Sequence, residues 1–254
     1  MRIRAIAFNT FKEAIRDRIL YLLLFFAGTS ILFSRILALL TVGDRVKIIK
    51  DVGLASIALF GALMAILIGT GLVYKEIDKK TIFTLMSKPL HRHEFILGKF
   101  FGLVLTLFIM LAAMSLIFLA IVFLHTLRIE PALLVALAFI FFELILITAV
   151  AILFSSFSTP ILSALFTLSF YLIGHFSWSL DALLRKLKPG PSRILGQVLY
   201  TLIPDLENFN FKTEVVHGLP LSAGMLAYSL LYGALYTVFI LTLTVIVFRK
   251  RDFL

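Results

Sequence analysis

The sequence predicts an all-α, polytopic membrane protein with six transmembrane helices. Of its 254 residues, 61% are hydrophobic and only 15% are charged, whereas soluble domains are about 45–50% apolar and about 25% charged. Six apolar runs are each close to the roughly 20 residues that a helix needs to cross a bilayer. These predicted spans are residues 19–40, 52–73, 100–125, 132–154, 161–178 and 222–248. We therefore expect residues 1–254 to form a single transmembrane domain.

Residues 1–18 precede the first span and predict an amphipathic helix that lies in the membrane interface. At 100° per residue, one arc of this helix is apolar and the opposite arc is charged. The apolar arc comprises Ile3, Ala7, Phe8, Phe11, Ala14 and Ile15. An interfacial helix buries such an arc among lipid headgroups and keeps its charged side chains in water. The alternative is a charged lead-in that only marks where the first span begins.

The distribution of Lys and Arg orients the predicted bundle. Of the 24 basic residues, 14 lie in segments 1–18, 74–99 and 249–254, and nine lie in the loops at the opposite face. Cytoplasmic loops of membrane proteins carry the excess of Lys and Arg. We therefore expect an inner (cell) membrane protein with both termini in the cytoplasm and loop 179–221 outside. This topology accounts for the net charge of +10 without a nucleic-acid ligand.

The connector between the second and third spans, residues 74–99, mixes many charges with apolar side chains. Ile82, Leu85 and Met86 fall on one helical face, and Pro89 disfavours helix at the residue before it. This pattern predicts two short amphipathic helices joined by a proline turn, the second within the stretch "LHRHEF". A merely solvated loop would not need these apolar side chains, so we expect them to contact the bundle or a partner.

Sequence motifs for catalysis are missing from the chain. No stretch matches the phosphate-binding loop G-x-x-x-x-G-K-[ST], and the one Gly-Lys pair, Gly98-Lys99, lacks the upstream glycine. The absence of cysteine excludes thiolate metal sites. His91 and His93 are spaced i, i+2, which places them on different helix faces. We expect no catalytic residue, no metal and no cofactor on this chain, which cannot use ATP alone.

One carboxylate, Glu143, lies deep inside a predicted span. Acids within a bilayer are costly and usually face a bundle interior or a wet cavity, often with a partner. Arg35, in the first span, is the intramembrane cation that we consider for this pairing. One interpretation makes Glu143 a gate or a substrate contact. The other makes it a hydrogen-bonding anchor between helices.

The connector "KEIDKKTIFTLMSKPLHRHEFILGKFFG" resembles that of the permease subunits of ABC-2-type transporters. It is most similar to the compact permeases associated with copper-enzyme maturation, such as the nitrous oxide reductase type. Three further stretches resemble the same family, namely "FKEAIRDRILYLLLF", "FELILITAVAILFSSFSTPILSALFT" and "VFRKRDFL". The resemblance covers essentially the whole chain.

This resemblance implies a transporter subunit, not an enzyme. It implies an exporter permease that dimerises with itself or a similar permease and is driven by separate ABC ATPase subunits, which bind ATP and Mg. It also implies a coupling helix in the connector that sits in a groove of the ATPase. Carried onto this sequence, the docking segment is Pro89, Leu90, His91, Arg92, His93, Glu94 and Phe95. The alternative is a membrane scaffold or assembly factor that docks partners through the same connector without moving a substrate.

The resemblance further implies that the first, second and fifth spans line a dimer interface along which substrate passes. On the second and fifth spans, the candidate path or interface residues are Gly61, Ala65, Gly69, Ser163, Thr167 and Tyr171. Ordinary helix packing explains the same residues. In the outer loop, the apolar periodicity of residues 194–203 predicts a surface or shallow re-entrant helix that caps the external exit.

Overall fold

The computed structural model describes residues 2–40, 44–78, 91–128, 130–177, 190, 196–197 and 203–250, and over these residues it contains no strand. We number its α-helices in chain order. They are α1 (Arg2–Ile15), α2 (Arg18–Leu40), α3 (Arg45–Asp78), α4 (Arg92–Thr126), α5 (Pro131–Ser155), α6 (Pro160–His175), α7 (Lys212–His217) and α8 (Ala223–Lys250). A short 3-10 helix, Leu206–Phe209, precedes α7.

Five of these helices, α2, α3, α4, α5 and α8, are long and apolar enough to cross a bilayer. Helix α6 is also apolar but has only 16 residues, which corresponds to about 24 Å at about 1.5 Å per residue. The all-α, polytopic membrane class predicted from the sequence is therefore confirmed. The exact division into six spans stays a prediction.

Helices α3 and α4 are longer than the spans predicted at 52–73 and 100–125. They have 34 and 35 residues, or about 51 and 52 Å, against a hydrocarbon core of about 30 Å. The predicted separate short helix at "LHRHEF" is wrong, because α4 runs without a break from Arg92. Glu94 accepts a hydrogen bond from the backbone N–H of His91 at 3.1 Å, and this capping contact starts the helix there. The first predicted short helix lies outside the described residues.

Helices α3 and α5 form the centre of the bundle. In the most apolar window of each, 67% of the residues are buried, compared with 22% for α2 and 28% for α8. The two peripheral helices instead expose large apolar side chains such as Phe25 and Leu235. In a membrane protein such side chains suit contact with lipid tails.

Helix α1 packs along the first part of α4, where two glycines let the helices approach closely. A Cβ atom added at Gly98 would lie 2.6 Å from the side chain of Ile6, and one added at Gly102 would lie 2.5 Å from the carbonyl oxygen of Ala7. Larger residues at these two positions would force the helices apart.

The predicted apolar arc of α1 is only partly turned toward the bundle. Ala14 and the polar Thr10 are buried, whereas Phe8 is 55% exposed. The ammonium of Lys12 lies over the Phe8 ring, 4.5 Å from its centroid. The position of α1 at the membrane interface stays a prediction, and Phe8 is the side chain that this position would bury in lipid.

Residues 203–217, which we call the outer insertion after the predicted position of loop 179–221, enter the end of the bundle opposite α1. The insertion packs against α3, α5 and α6 through buried apolar side chains, namely Leu206, Phe209, Phe211, Val215 and Val216. A Cβ atom added at Gly174 of α6 would lie 2.6 Å from Leu206, and one added at Gly233 of α8 would lie 2.7 Å from Phe209. Most of the helix predicted at 194–203 lies outside the described residues, so that prediction stays open.

Candidate functional site

The described part of the predicted docking segment is the start of α4. His91 and His93 are exposed, and their rings stack with centroids 5.3 Å apart. Pro89 and Leu90 lie outside the described residues. Within the part of the chain that the structure describes, no group of three His, Cys, Asp or Glu side chains could hold a metal ion.

Arg92 and Phe95 of the docking segment face the end of α8. The Phe95 ring is 7% exposed and stacks on the Phe248 ring with centroids 5.8 Å apart. Arg92 Nη1 donates to the carbonyl oxygens of Phe248 at 2.8 Å and Arg249 at 2.6 Å. Phe95 therefore packs inside this chain, contrary to its predicted place in a partner's groove. Arg92 thus supplies a hydrogen-bond donor to two carbonyl oxygens in the last described turn of α8.

The first turns of α4 also contact α1. Arg2 Nη1 lies 3.8 Å from Glu94 Oε2. The buried Lys99 ammonium lies 3.6 Å from Glu13 Oε2 and 6.0 Å from the centroid of the Phe95 ring. The start of α4 is thus joined to α1 by ion pairs and to α8 by hydrogen bonds and ring stacking. We call this cluster the α1–α4–α8 junction; it comprises Arg2, Glu13, Arg92, Glu94, Phe95, Lys99 and Phe248.

The intramembrane acid Glu143 pairs with a histidine and not with Arg35. Glu143 is 1% exposed in α5, and its Oε1 lies 2.8 Å from Nε2 of His175, the last residue of α6. Arg35 is exposed on the peripheral helix α2, so the predicted pairing is wrong. His175 ends α6 beside α5, and this position brings its imidazole to the carboxylate.

A second carboxylate lies on the other side of the histidine ring. His175 Nδ1 is 3.5 Å from Oε2 of Glu207 in the outer insertion, and the Tyr171 ring meets the imidazole edge-on with centroids 4.7 Å apart. The hydrogen bond from His175 lowers the pKa of Glu207, although partial burial opposes this shift. We call Glu143, His175 and Glu207 the acid–histidine–acid bridge. Among the described residues, Glu143 Oε2 has no hydrogen-bond partner.

Neither His175 nor Glu207 is among the residues selected from the sequence. One signal could have found the histidine, because His175 is the only basic side chain in the span predicted at 161–178, and a buried acid needs a cationic or hydrogen-bonding partner. Glu207 carries no comparable signal, since its place beside His175 follows from the path of the outer insertion.

An open cavity of about 310 Å³ lies between the outer insertion and α8. Its polar wall includes Glu207, Asn210 and Glu214, and its α8 side includes Tyr228 and Ser229. Asn210 Nδ2 donates to Glu207 Oε1 at 2.6 Å. The cavity and the acid–histidine–acid bridge therefore share one carboxylate at this end of the bundle.

The small-residue stripe of α3 packs inside the chain. A Cβ atom added at Gly61 would lie 2.8 Å from the Leu144 side chain, and one added at Gly69 would lie 2.9 Å from the Ala151 Cβ. Ala65, between them, is 2% exposed. In this conformation α5 covers these residues, and their predicted role at a dimer interface or substrate path stays a prediction.

The hydroxyl residues predicted on the fifth span are also enclosed. Ser163 and Thr167 are fully buried, and Thr167 Oγ1 donates to the carbonyl oxygen of Ser163 at 2.7 Å. Tyr171 lies one turn further along α6, against His175. Their predicted role along a substrate path stays a prediction, and in this conformation they serve packing within the protomer.

Comparison with known proteins bears on the whole arrangement. The family model described as ABC-2 family transporter protein matches residues 4–253, which include both the α1–α4–α8 junction and the acid–histidine–acid bridge. No curated protein matches the sequence. The narrower resemblance to copper-enzyme maturation permeases stays a prediction. Because the match spans nearly the whole chain and the described helices are those of a polytopic membrane protein, the chain belongs to the ABC-2 family of transporter proteins.

Proposed function

We propose that this chain, as the permease subunit of an ABC transporter, works as a dimer with itself or a similar permease and is driven by separate ATPase subunits. The family match over residues 4–253 carries the proposal. The sequence has no phosphate-binding loop of its own, so hydrolysis of ATP with Mg falls to the partner. Transport runs outward, as the resemblance to exporter permeases implies.

The connector is the site at which the ATPase docks, on the cytoplasmic face. The excess of Lys and Arg on this side favours that orientation. The burial of Phe95 narrows the docking surface to residues 89–91 with His93 and Glu94. Polar side chains there, such as the exposed His91 and His93, set the register with a partner, while apolar residues contribute contact area.

The α1–α4–α8 junction gives a mechanical reason for this assignment. Helix α4 is continuous over 35 residues, so a push on its first turn moves the helix as a rigid rod. Arg92 and Phe95 carry that displacement to α8, and the Gly98 and Gly102 contacts carry it to α1. Three helices would then respond together to closure of the ATPases.

The test is co-purification in mild detergent followed by an ATPase assay of the bound subunit. The docking variant is Leu90→Asp with His93→Glu. The matched control is Leu127→Asp with His125→Glu, which makes the same kinds of change at exposed positions near the far end of α4. We expect the ATPase to bind wild type and the control and to be lost from the docking variant.

Two outcomes contradict the proposal. If no ATPase co-purifies with folded wild-type protein, the chain is not driven as proposed and a scaffold role is favoured. If the ATPase binds but a catalytically dead ATPase supports full function, the chain docks its partner without coupled transport. Equal binding by the docking variant and the control would move the docking site away from the connector.

A further inference from the structure

We infer that the acid–histidine–acid bridge is a proton-binding latch that holds the outer insertion, residues 203–217, inside the bundle. The bridge joins three elements that are distant in sequence: Glu143 on α5, His175 at the end of α6, and Glu207 in the insertion. This inference goes beyond the proposed function and does not depend on it.

The proton follows from counting donors on the ring. His175 Nε2 lies 2.8 Å from one carboxylate and Nδ1 lies 3.5 Å from the other. A neutral imidazole has a single N–H, so only the imidazolium can donate toward both. Without its proton, the ring would turn a lone pair toward a carboxylate oxygen, and the latch would lose one of its two contacts.

The surroundings of the ring leave this proton as the controlling charge. Lys212 of α7 repels the imidazolium, and the Tyr171 ring contacts the imidazole edge-on. Helix α3, which also packs against α6, has no charged side chain between residues 52 and 71. The two carboxylates of the bridge are therefore what holds the imidazolium in place.

The other two acids of the insertion, Asp205 and Glu214, are engaged elsewhere or line the cavity. Asp205 Oδ1 accepts a hydrogen bond from Ser177 at 2.6 Å, and the Asp205 backbone N–H donates to Tyr232 of α8 at 2.8 Å. Glu214 lines the cavity with Tyr228 of α8. These groups border the bridge without replacing either of its carboxylates.

Loss of the proton is coupled to release of the insertion through burial. Phe211 of the insertion packs on Phe139 with ring centroids 4.6 Å apart, and Phe139 lies one helical turn from Glu143 on α5. An ionised carboxylate that is 1% exposed and has lost its cation favours any state in which water can reach it. Departure of the insertion from this end of the bundle provides such a state.

The test uses the absence of cysteine from the natural chain. Val216→Cys places a single thiol on the insertion at a position that is 4% exposed, and Leu219→Cys places a reference thiol just beyond it at a position that is 52% exposed. The ratio of their rates with a membrane-impermeant maleimide reports opening, because the thiol at position 216 is labelled from the open state, in which both thiols are exposed and form thiolate similarly. The protein is held in nanodiscs from about pH 7 to about pH 10. This range lies above the ordinary pKa of histidine, about 6.5, and tests whether the two carboxylates retain the proton beyond that value.

We expect the ratio to rise about tenfold toward high pH, the effect of losing one charge-assisted hydrogen bond. Glu207→Gln, at a half-exposed position, should move the rise to lower pH because one of the two carboxylate charges is lost. His175→Gln should give a high ratio at every pH. The matched control is His217→Gln, at the exposed end of α7, which should keep the wild-type profile.

A wild-type ratio that does not change with pH overturns the latch, and this measurement needs no substitution in the bridge. An unchanged pH profile in Glu207→Gln also overturns it. So does a His217→Gln variant whose labelling ratio is as high at every pH as that of His175→Gln. The labelling requires no ATPase, so its failure leaves the proposed function standing. Conversely, loss of the co-purified ATPase would leave the latch standing.

Discussion

Removal of the Arg92 guanidinium should loosen the end of α8 from the start of α4. Its Nη1 donates to two carbonyl oxygens of the last described turn of α8, at 2.8 Å to Phe248 and 2.6 Å to Arg249. A hydrogen bond to a charged group contributes about 1.5–3 kcal/mol. The contact with Arg249 is exposed and therefore screened by solvent, so we expect Arg92→Ala to cost about 2 kcal/mol in total.

A change of this size corresponds to about a 30-fold shift in the local opening equilibrium of that turn. Hydrogen–deuterium exchange of the amides in residues 243–250 measures that equilibrium when closing is faster than exchange. We expect exchange to be about 30-fold faster in Arg92→Ala than in wild type. Arg92→Lys should fall between them, because a compact ammonium cannot keep the guanidinium geometry.

Arg128→Ala is the matched control, since Arg128 is an exposed arginine beyond the other end of α4. Two results would refute the reasoning. Exchange in Arg92→Ala could equal that of wild type, which would mean that the two hydrogen bonds do not hold the turn. Alternatively, Arg128→Ala could accelerate exchange as much as Arg92→Ala does, which would mean that the faster exchange comes from the change in net charge.

Two further predictions concern α1 and the outer insertion. Gly102→Ala should lower the Tm and cost about 1–3 kcal/mol, because an added Cβ overpacks against the Ala7 carbonyl. Gly71→Ala, with open space around an added Cβ, should raise the Tm slightly, as an ordinary helical substitution does. Equal shifts of Tm in the two variants would contradict the close packing of α1. Because the pKa of Glu207 is lowered in the folded protein, its contribution to stability is present above its ordinary pKa and lost as the pH falls through the lowered value. Exchange of residues 203–217 should therefore speed up on acidification, and Glu207→Gln should weaken that response; an unchanged acid response would argue against the His175 contact.

Helix positions were predictable to the extent that they depend on local hydropathy. The apolar runs correctly indicated α2, α5 and α8, because about 20 neighbouring residues decide whether a helix suits a bilayer. The start of α4 was missed because charge and proline marked the end of the apolar run, while the capping contact of Glu94 with His91 continues the helix beyond it. Capping is a local signal too, so this boundary could have been predicted.

The partners of buried groups were not predictable in the same way. Arg35 was the cation within a span, but it is exposed on a peripheral helix, and Glu143 instead meets His175. Ordinary helix packing, the alternative given for the stripe of Gly61, Ala65 and Gly69, agrees with the close contacts of Gly61 and Gly69 with α5. Which helix it packs against depended on the arrangement of the bundle.

The sequence by itself determined the membrane class, the helical content and the family, because hydropathy and family pattern are read along the chain. Only the tertiary structure decided that Phe95 belongs to the α1–α4–α8 junction and that Glu207 reaches His175. Those contacts join residues far apart in sequence, and the side-chain directions that make them depend on how whole helices pack. Helix packing is set by the sum of many small contacts, and no short stretch of sequence contains that sum.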